Sequence, residues 1–572
     1  MVSGTWVFWS IYENTLTGME SFEPLPHFVD DYLGFLYETR PTAATFDGVH
    51  THDDLLEDFS RPAIDRQMRD LGGFARRLSA IRVESLTAEH RLDHAMLDAD
   101  IRARLLELEQ TRNFERNPQL YADTLATSLA PQVLFNYAAP HERGRRIVSK
   151  LRQVPSFLQS ARANLKEPPG LFVKTALETF RGLLTFLDQD LPRALAAVDD
   201  LSLLGDLADA STEASRAIAE FVTYLERDVA PKSRSSFRLG DKLFAQKLHL
   251  DEGIGLPLDR LLDIAQRELD STQEEFRTLA SKMGGKEKDP LVNWRKLKET
   301  HPPAGQLVTQ ASTQVEQLLT FLTRQKIVSV PEHEPLRVAP TPPFYRWTFA
   351  SIWSPGPFET KALRAYYYLT DVDPAWPADR QKQHLLDFNE PTLWAISMHE
   401  AYPGHHLHFQ HLRRIESRLR KSTVLMPLSV VEGWAHYAEH LIPEAGFQNG
   451  DHSIKLGQLA ESLVRLARLF VAVRLHADDW SVEQGVRFFR DEAFLEEPSA
   501  RREAERGTFD PSYGVYAVGK LALMKLRADY QAEQGKNFSL RQFHDDLLGQ
   551  GGLPLPLQRK ALLKDSSGPV IE

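Results

Sequence analysis

His399-Glu400-Ala401-Tyr402-Pro403-Gly404-His405 is the stretch on which the reading of this chain turns. In the metal-site pattern His-Glu-x-x-His, both imidazoles face one side of a helix and bind one ion. The Glu between them serves as general base. Here the position four residues after His399 is Pro403, which binds no metal, and the next imidazole is His405. On an unbroken helix, six residues at about 100° each would turn His405 roughly 240° away from His399. His406 returns to the same face but stands ~10 Å along the axis, far for two nitrogens that must each lie ~2.0–2.1 Å from zinc. Proline removes a backbone donor and glycine permits unusual dihedrals, so a local bulge is expected at Pro403-Gly404. Such a bulge brings His405 back beside His399. His405 is the expected second ligand and His406 the alternative. Upstream, Asn389 and Glu390 precede Pro391, and proline suits the first turn of a helix.

A third ligand is expected from a second helix, opened by Pro427. Glu432, His436 and Glu439 fall at i, i+4 and i+7 on one polar face, with Trp434, Tyr437 and Leu441 as bulk around it. Two His and one Glu make a familiar zinc set, so Glu432 is assigned as third ligand. Glu439 or His436 would then orient the ligands through hydrogen bonds. His408 and His411 are read as surface residues.

Composition narrows the chemistry. With no cysteine among 572 residues, disulfides, thiolate ligands and Cys nucleophiles are excluded, so a metal must be held by His and carboxylates. A net charge of −11 gives no basic footprint for nucleic acid. The first 20 residues lack a basic n-region, and Ser10 and Glu13 interrupt their apolar run, so they are not read as a signal peptide. Residues 1–18 are a possible extension outside the core, with Met19 as the alternative start. No window approaches ~18 consecutive apolar residues, so no membrane span and no membrane partner are expected. A cytoplasmic location follows as the expectation.

Helical periodicity dominates the chain. Ile218, Phe221, Val222 and Leu225 recur at three- and four-residue spacing, as do Leu262, Leu269, Phe276 and Leu279, and Leu456, Leu459, Leu463, Leu466 and Phe470. The strand signal runs from Arg337 to Thr370. It carries Phe344, Tyr345, Trp347 and Phe349, a turn at Pro355–Pro357, and three tyrosines between Ala365 and Leu369. A small sheet or hairpin is expected there, just ahead of the His-Glu segment. The Pro- and Gly-rich joints are too short to be disordered linkers, and no internal repeat is present. The predicted fold is mainly α: a large helical metallopeptidase-like body with a deep cleft and a small sheet beside the site. Residues 19–335 form a helical region interleaved with a metal-binding region, 336–572.

The paired motifs His399-Glu400-x-x-Pro403-Gly404-His405 and Glu432-Gly433-Trp434-x-x-Tyr437-x-Glu439 resemble the DUF885 family of bacterial proteins, grouped with gluzincin-type metallopeptidases. Pro342-Pro343-Phe344 and Pro355-Gly356-Pro357-Phe358-Glu359 resemble that family's segment ahead of the metal helix. Arg474-Leu475-His476 with Trp480 resembles the helix after the site. Pro511-x-x-x-x-Tyr516-x-x-Gly519 with Leu526-Arg527 resembles its C-terminal signature. Many members carry Asp four residues before the position of His476, where this chain has Ala472. The resemblance implies a largely helical fold, one zinc ion held by His399, His405 and Glu432, and Glu400 as base. By position it also implies Tyr516 as an electrophilic partner.

The chemistry expected from these residues is zinc-dependent hydrolysis of a peptide or small amide, with Glu400 accepting a proton and Tyr516 stabilising the oxyanion. The Phe344–Phe349 aromatics either pair with an extended peptide or pack a core. Arg527 either holds a substrate carboxylate or is an ordinary helix-surface arginine. The alternatives are a zinc hydrolase of a non-peptide amide and a non-catalytic metal- or ligand-binding protein.

Overall fold

Asparagine and proline start the helices that carry the site. In the computed structural model, which describes residues 24–284, 287–331, 334–342 and 349–572, the Asn389 side chain accepts a hydrogen bond from Thr392 N at 3.1 Å. That satisfies one of the donors every helix N-terminus leaves open. The expected extension at residues 1–18, and the aromatics Phe344, Tyr345 and Trp347, lie outside the described residues.

The described residues form a mainly helical body with one small sheet. The first two expected periodic segments fall within α1 (Leu201–Tyr224, continued by Leu225–Val229) and α2 (Leu258–Met283), and the third within a helix of the site, His452–Ala477. Helix α3 (Leu307–Gln325) leads into strands β1 (Leu336–Pro340), β2 (Ala350–Trp353) and β3 (Ala365–Leu369). The site is carried by α4 (Glu390–Glu400), α5 (His405–Leu412), α6 (Leu428–Glu444), α7 (His452–Ala477) and α9 (Val515–Gln534), with α8 (Glu497–Phe509) packed alongside.

The sheet is three-stranded, in the order β1-β3-β2. Strand β1 is parallel to β3 and β2 antiparallel to it. Strands β2 and β3 pair as a hairpin with a long connection, and the Pro-Gly-Pro segment within that connection docks on the N-terminal region. A Cβ at Gly356 would lie 2.2 Å from the backbone of Asp47. Phe358 N bonds Asp47 O at 2.8 Å, and Glu359 meets His50 Nε2 at 2.9 Å. The central strand β3 faces α4. Tyr367 OH lies 3.3 Å from Ser397 Oγ, which donates to Gln314 of α3 at 2.8 Å.

The largest apolar core joins Leu261, Leu269 and Phe276 of α2, Leu318 and Phe321 of α3, Tyr367 of β3, Met398 of α4, Trp434 of α6 and Leu463 of α7. It runs across residue 335. A second core lies within residues 56–229, and a third unites Leu25–Ile101 with Leu419, Leu425 and Leu553. Amphipathic helices bury one stripe each, and here those stripes interleave distant parts of the chain.

Two glycines set a close helix approach near the site. A Cβ at Gly433 of α6 would stand 2.6 Å from Gly519 Cα of α9, and a Cβ at Gly519 would stand 2.2 Å from Ser429 O. Only residues without side chains let these backbones meet. The crossing puts Tyr516, one turn before Gly519, beside the helix that carries Glu432.

Candidate metal centre

The segment between the two histidines is a full break, where a bulge within one helix was expected. Helix α4 ends at Glu400, and α5 begins at His405. Pro403 supplies no amide hydrogen to continue the ladder. Gly404 N turns back to Met398 O at 3.0 Å, and a Cβ at Gly404 would sit 1.8 Å from the carbonyl oxygen of His399. Glycine is required by that contact, its φ being negative. The Trp434 indole N–H of α6 donates to Pro403 O at 2.8 Å and pins the break from the other side.

The result is a convergence of three ligand atoms. His399 Nε2 lies 3.1 Å from His405 Nε2 and 3.3 Å from Glu432 Oε2. Glu432 Oε2 lies 3.4 Å from His405 Nε2. The two imidazole planes stand at 87°. Two ligands ~2.0–2.1 Å from a tetrahedral zinc are about 3.3 Å from one another. All three separations fit that edge. His405 Nδ1 and Glu432 Oε2 are buried with no hydrogen-bond partner among the described residues. Such orphans cost free energy unless something completes them.

Electrostatics couple the same groups. Burial opposes a charge on His399, yet the carboxylates of Glu432 and Glu439 beside its two ring nitrogens hold its pKa up, at about 10. Burial would raise Glu432, but His405 and His399 hold it well below the usual carboxylate range. Two carboxylates against two imidazoles hold protons tightly here, and a metal would have to displace them.

A second carboxylate holds the first imidazole. Glu439, fully buried, has Oε1 2.7 Å from His399 Nδ1, and Arg465 Nη2 of α7 lies 2.9 Å from that same oxygen. With Nδ1–H donating to Glu439, His399 keeps a lone pair on Nε2, the nitrogen that faces His405 and Glu432.

His436, one turn after Glu432, is a bracket. Its Nδ1 faces Tyr516 O at 3.4 Å and its Nε2 faces Ser462 Oγ at 3.0 Å. Ser462 Oγ accepts from Gln458 Nε2 at 2.7 Å and Lys520 Nζ at 3.2 Å. Its own hydrogen is therefore left for His436 Nε2. The imidazole is neutral and ties α6, α7 and α9 together. Burial first, then Lys520 and Arg465, push its pKa well below the ordinary value.

Tyr516 stands half-buried, with the Arg468 guanidinium 5.3 Å over its ring. Burial, then the charge of Glu432, push its pKa up to about 12, so it remains a hydrogen-bond donor. Glu400, at the last turn of α4, is half-buried and makes no hydrogen bond or ion pair among the described residues.

Other candidates fall elsewhere. His406 packs edge-on to Tyr402, and its Nε2 lies 3.2 Å from Gln410 Nε2; burial lowers its pKa to about 4. His476 is stacked on Phe244, and its Nε2 donates to Gly507 O at 2.8 Å. Arg527 pairs with both oxygens of Glu444 at 2.8 and 2.6 Å and donates to Tyr437 OH at 3.0 Å. None of these three joins the ligand cluster. His408 is buried against Trp434, where a surface position was expected, because the break rolls α5 inward. His411 is half-buried and bonds Ser329 O at 2.8 Å. A cavity of about 690 Å³ opens between Leu25, Asp30, Glu89, Arg418 and Leu548, and none of the three ligands lines it.

Sequence reasoning missed Arg465. Its signal was present: a cation, with Arg468 one turn on, in the apolar run Leu463, Val464, Leu466 and Ala467, where a charge turned inward must find a partner.

Residues 41–562 match the DUF885 family, described as a bacterial protein of unknown function. No curated protein matches the chain. A solved structure from Shewanella oneidensis, "a putative lipoprotein of unknown function", is 23% identical with a TM-score of 0.78, covering 95% of this chain and 100% of its own. Another, "the putative lipoprotein from Colwellia psychrerythraea", is 16% identical with a TM-score of 0.79, covering 94% and 98%. At these identities the likeness shows a shared fold. Both descriptions overturn the cytoplasmic expectation. That expectation rested on two readings, that the first 20 residues are not a signal peptide and that the chain holds no apolar span. Among the described residues no helix is long and apolar enough to cross a membrane.

Proposed function

Because the chain belongs to the DUF885 family, whose description assigns no activity, its chemistry rests on its own residues, and we propose that it is a zinc-dependent hydrolase of peptide bonds. The carrying observation is the triangle of His399 Nε2, His405 Nε2 and Glu432 Oε2, with sides of 3.1 to 3.4 Å. A zinc ion bound there would act as a Lewis acid and acidify a water molecule. Three protein ligands leave one position open, as in catalytic rather than structural zinc sites.

The remaining work falls to side chains. Glu400 follows His399 directly and its side chain has no competing partner among the described residues, so its carboxylate is free to take a proton from the attacking water. It then returns that proton to the departing amine. Tyr516, kept protonated, donates a hydrogen bond to the oxygen on which negative charge develops. His436 and the Gly433–Gly519 crossing hold Tyr516 in place. On this reading the helical body is a gluzincin-like peptidase. Arg527 is committed to Glu444 and is given no part in substrate binding.

The test is metal analysis of protein never exposed to chelator, together with Glu400→Gln on a mixed peptide library. Stoichiometric zinc in both proteins, with cleavage lost only in Glu400→Gln, is the expected result. Absence of stoichiometric metal in the wild type would sink the site. Cleavage of small non-peptide amides but no peptide would keep the mechanism and change the substrate class.

A further inference from the structure

Arg465 is a buried cation beside the ligand cluster that hydrolysis itself does not use. It lies in the middle of α7 and is 8% exposed. Taking a guanidinium out of water is costly unless it is paired and hydrogen-bonded. Arg465 meets that demand in two directions through its terminal nitrogens, while its Nε has no hydrogen-bond partner among the described residues. Nη1 donates to Glu461 Oε2 at 2.6 Å and to Glu461 O at 3.0 Å on its own helix. Nη2 reaches across to Glu439 Oε1 of α6 at 2.9 Å.

That oxygen is the one His399 Nδ1 meets, at 2.7 Å. Imidazole and guanidinium therefore converge on a single atom, and the other oxygen of Glu439 has no hydrogen-bond partner among the described residues. The last torsion of a glutamate is broad and roughly two-fold, so an unheld carboxylate would sample other angles. A planar guanidinium anchored on α7 removes that freedom. The neighbouring cation, Lys520, is spent on Ser462 Oγ in the His436 bracket.

We propose that Arg465 is a positioning residue for the metal centre. It locks the Glu439 carboxylate, which fixes the ring plane of His399 and aims Nε2 at His405 and Glu432. The inference rests on the zinc reading above and adds a residue two contacts away from the ion. Partners that orient ligand histidines are typically worth roughly 10- to 100-fold in metal affinity. A residue that only stabilised α7 against α6 would leave that affinity alone.

The experiment measures zinc affinity by chelator competition, at fixed pH, for the full-length wild type, Arg465→Met, Arg465→Lys, Glu439→Gln and the Arg465→Met/Glu439→Gln double variant. Thermal melting of each metal-free protein is measured alongside. Arg465→Met should weaken zinc binding by about 10- to 100-fold, within the range for such partners. Arg465→Lys should fall between it and the wild type, because lysine keeps the charge but loses the fork. The double variant should bind only slightly less tightly than Glu439→Gln alone, because both act through one carboxylate. Unchanged affinity in Arg465→Met with a lowered melting temperature would overturn the proposal. If Arg465→Met does not fold, Arg465→Lys decides: affinity equal to the wild type overturns it, and several-fold weaker binding supports it. A wild type without stoichiometric zinc would instead overturn the metal reading itself.

Discussion

Two histidines in this molecule are each flanked by two carboxylates, and they are put to different uses. His50 bonds Asp53 at 3.0 Å through Nδ1 and Glu359 at 2.9 Å through Nε2. Asp53 also receives Arg146 at 2.6 Å and Thr45 at 2.7 Å, and the His50 ring lies flat on Tyr137 at 3.9 Å. Both ring nitrogens are spent, and the cluster rivets the N-terminal region to the segment after β2. His399 spends only Nδ1 on a committed carboxylate. Its Nε2 faces another imidazole nitrogen and a carboxylate oxygen that has no hydrogen-bond partner among the described residues. Similar residues thus make a closed ion pair in one place and an open ligand set in the other. The difference lies in whether the donors and acceptors balance without a further ion.

Breaking the open cluster should have the largest effect. His405→Ala or Glu432→Ala should reduce bound zinc to background in elemental analysis, because two ligands do not complete a tetrahedral site. Glu359→Gln, which opens the closed cluster, should leave metal content unchanged. Equal metal loss in both would erase the distinction.

The glycines that serve each cluster come next. Gly404→Ala drives a methyl group into the carbonyl of His399, and Gly356→Ala drives one into the backbone of Asp47. Each should cost about 1–3 kcal/mol or more in denaturant unfolding, as overpacked sites do. Only Gly404→Ala should also lose zinc. Gly519→Ala, whose Cβ would meet Ser429 O at 2.2 Å, should cost a similar amount of stability but act more selectively, because it pushes α9 away from α6. Zinc should stay, while turnover should fall more than stability as Tyr516 moves off its position.

The smallest effect belongs to pH. Burial works against the His50 charge, but Asp53 and Glu359 raise its pKa to about 9, above the ordinary 6.5. A raised pKa stabilises the fold fully below about pH 6.5, and this stability is lost as pH rises through about 9. The stake is on the order of 1–3 kcal/mol. Wild-type stability in denaturant should decline between these pH values more steeply than that of His50→Gln. Parallel curves would remove His50 from the account.

Much of the site was legible because its signals are local. Pro391 and Pro427 mark helix starts, the i, i+4, i+7 face of α6 holds Glu432, His436 and Glu439, and Pro403-Gly404 marks a departure from helix. The strict periodicities read as helices are helices. The rest was hidden for identifiable reasons. Spacing alone does not distinguish a bulge from a full break; the 1.8 Å approach that a Gly404 Cβ would make to His399 O decides it. His476 and Arg527 sit in motifs, but their partners, Gly507 and Glu444, lie 31 and 83 residues away. Gly433 and Gly519 look like ordinary helix glycines until α6 and α9 cross.

By itself the sequence determined the chemical inventory: no thiols, paired imidazoles about a Pro-Gly break, and a carboxylate helix soon after. It also determined a mainly helical chain, since helices are written in contacts three and four residues apart. Tertiary structure alone decided which carboxylates orient and which are left open, that His408 turns inward, and that Arg465 stands behind Glu439. Those outcomes depend on distances of about 3 Å between residues tens of positions apart, and such distances are set by how helix faces pack rather than by spacing along the chain.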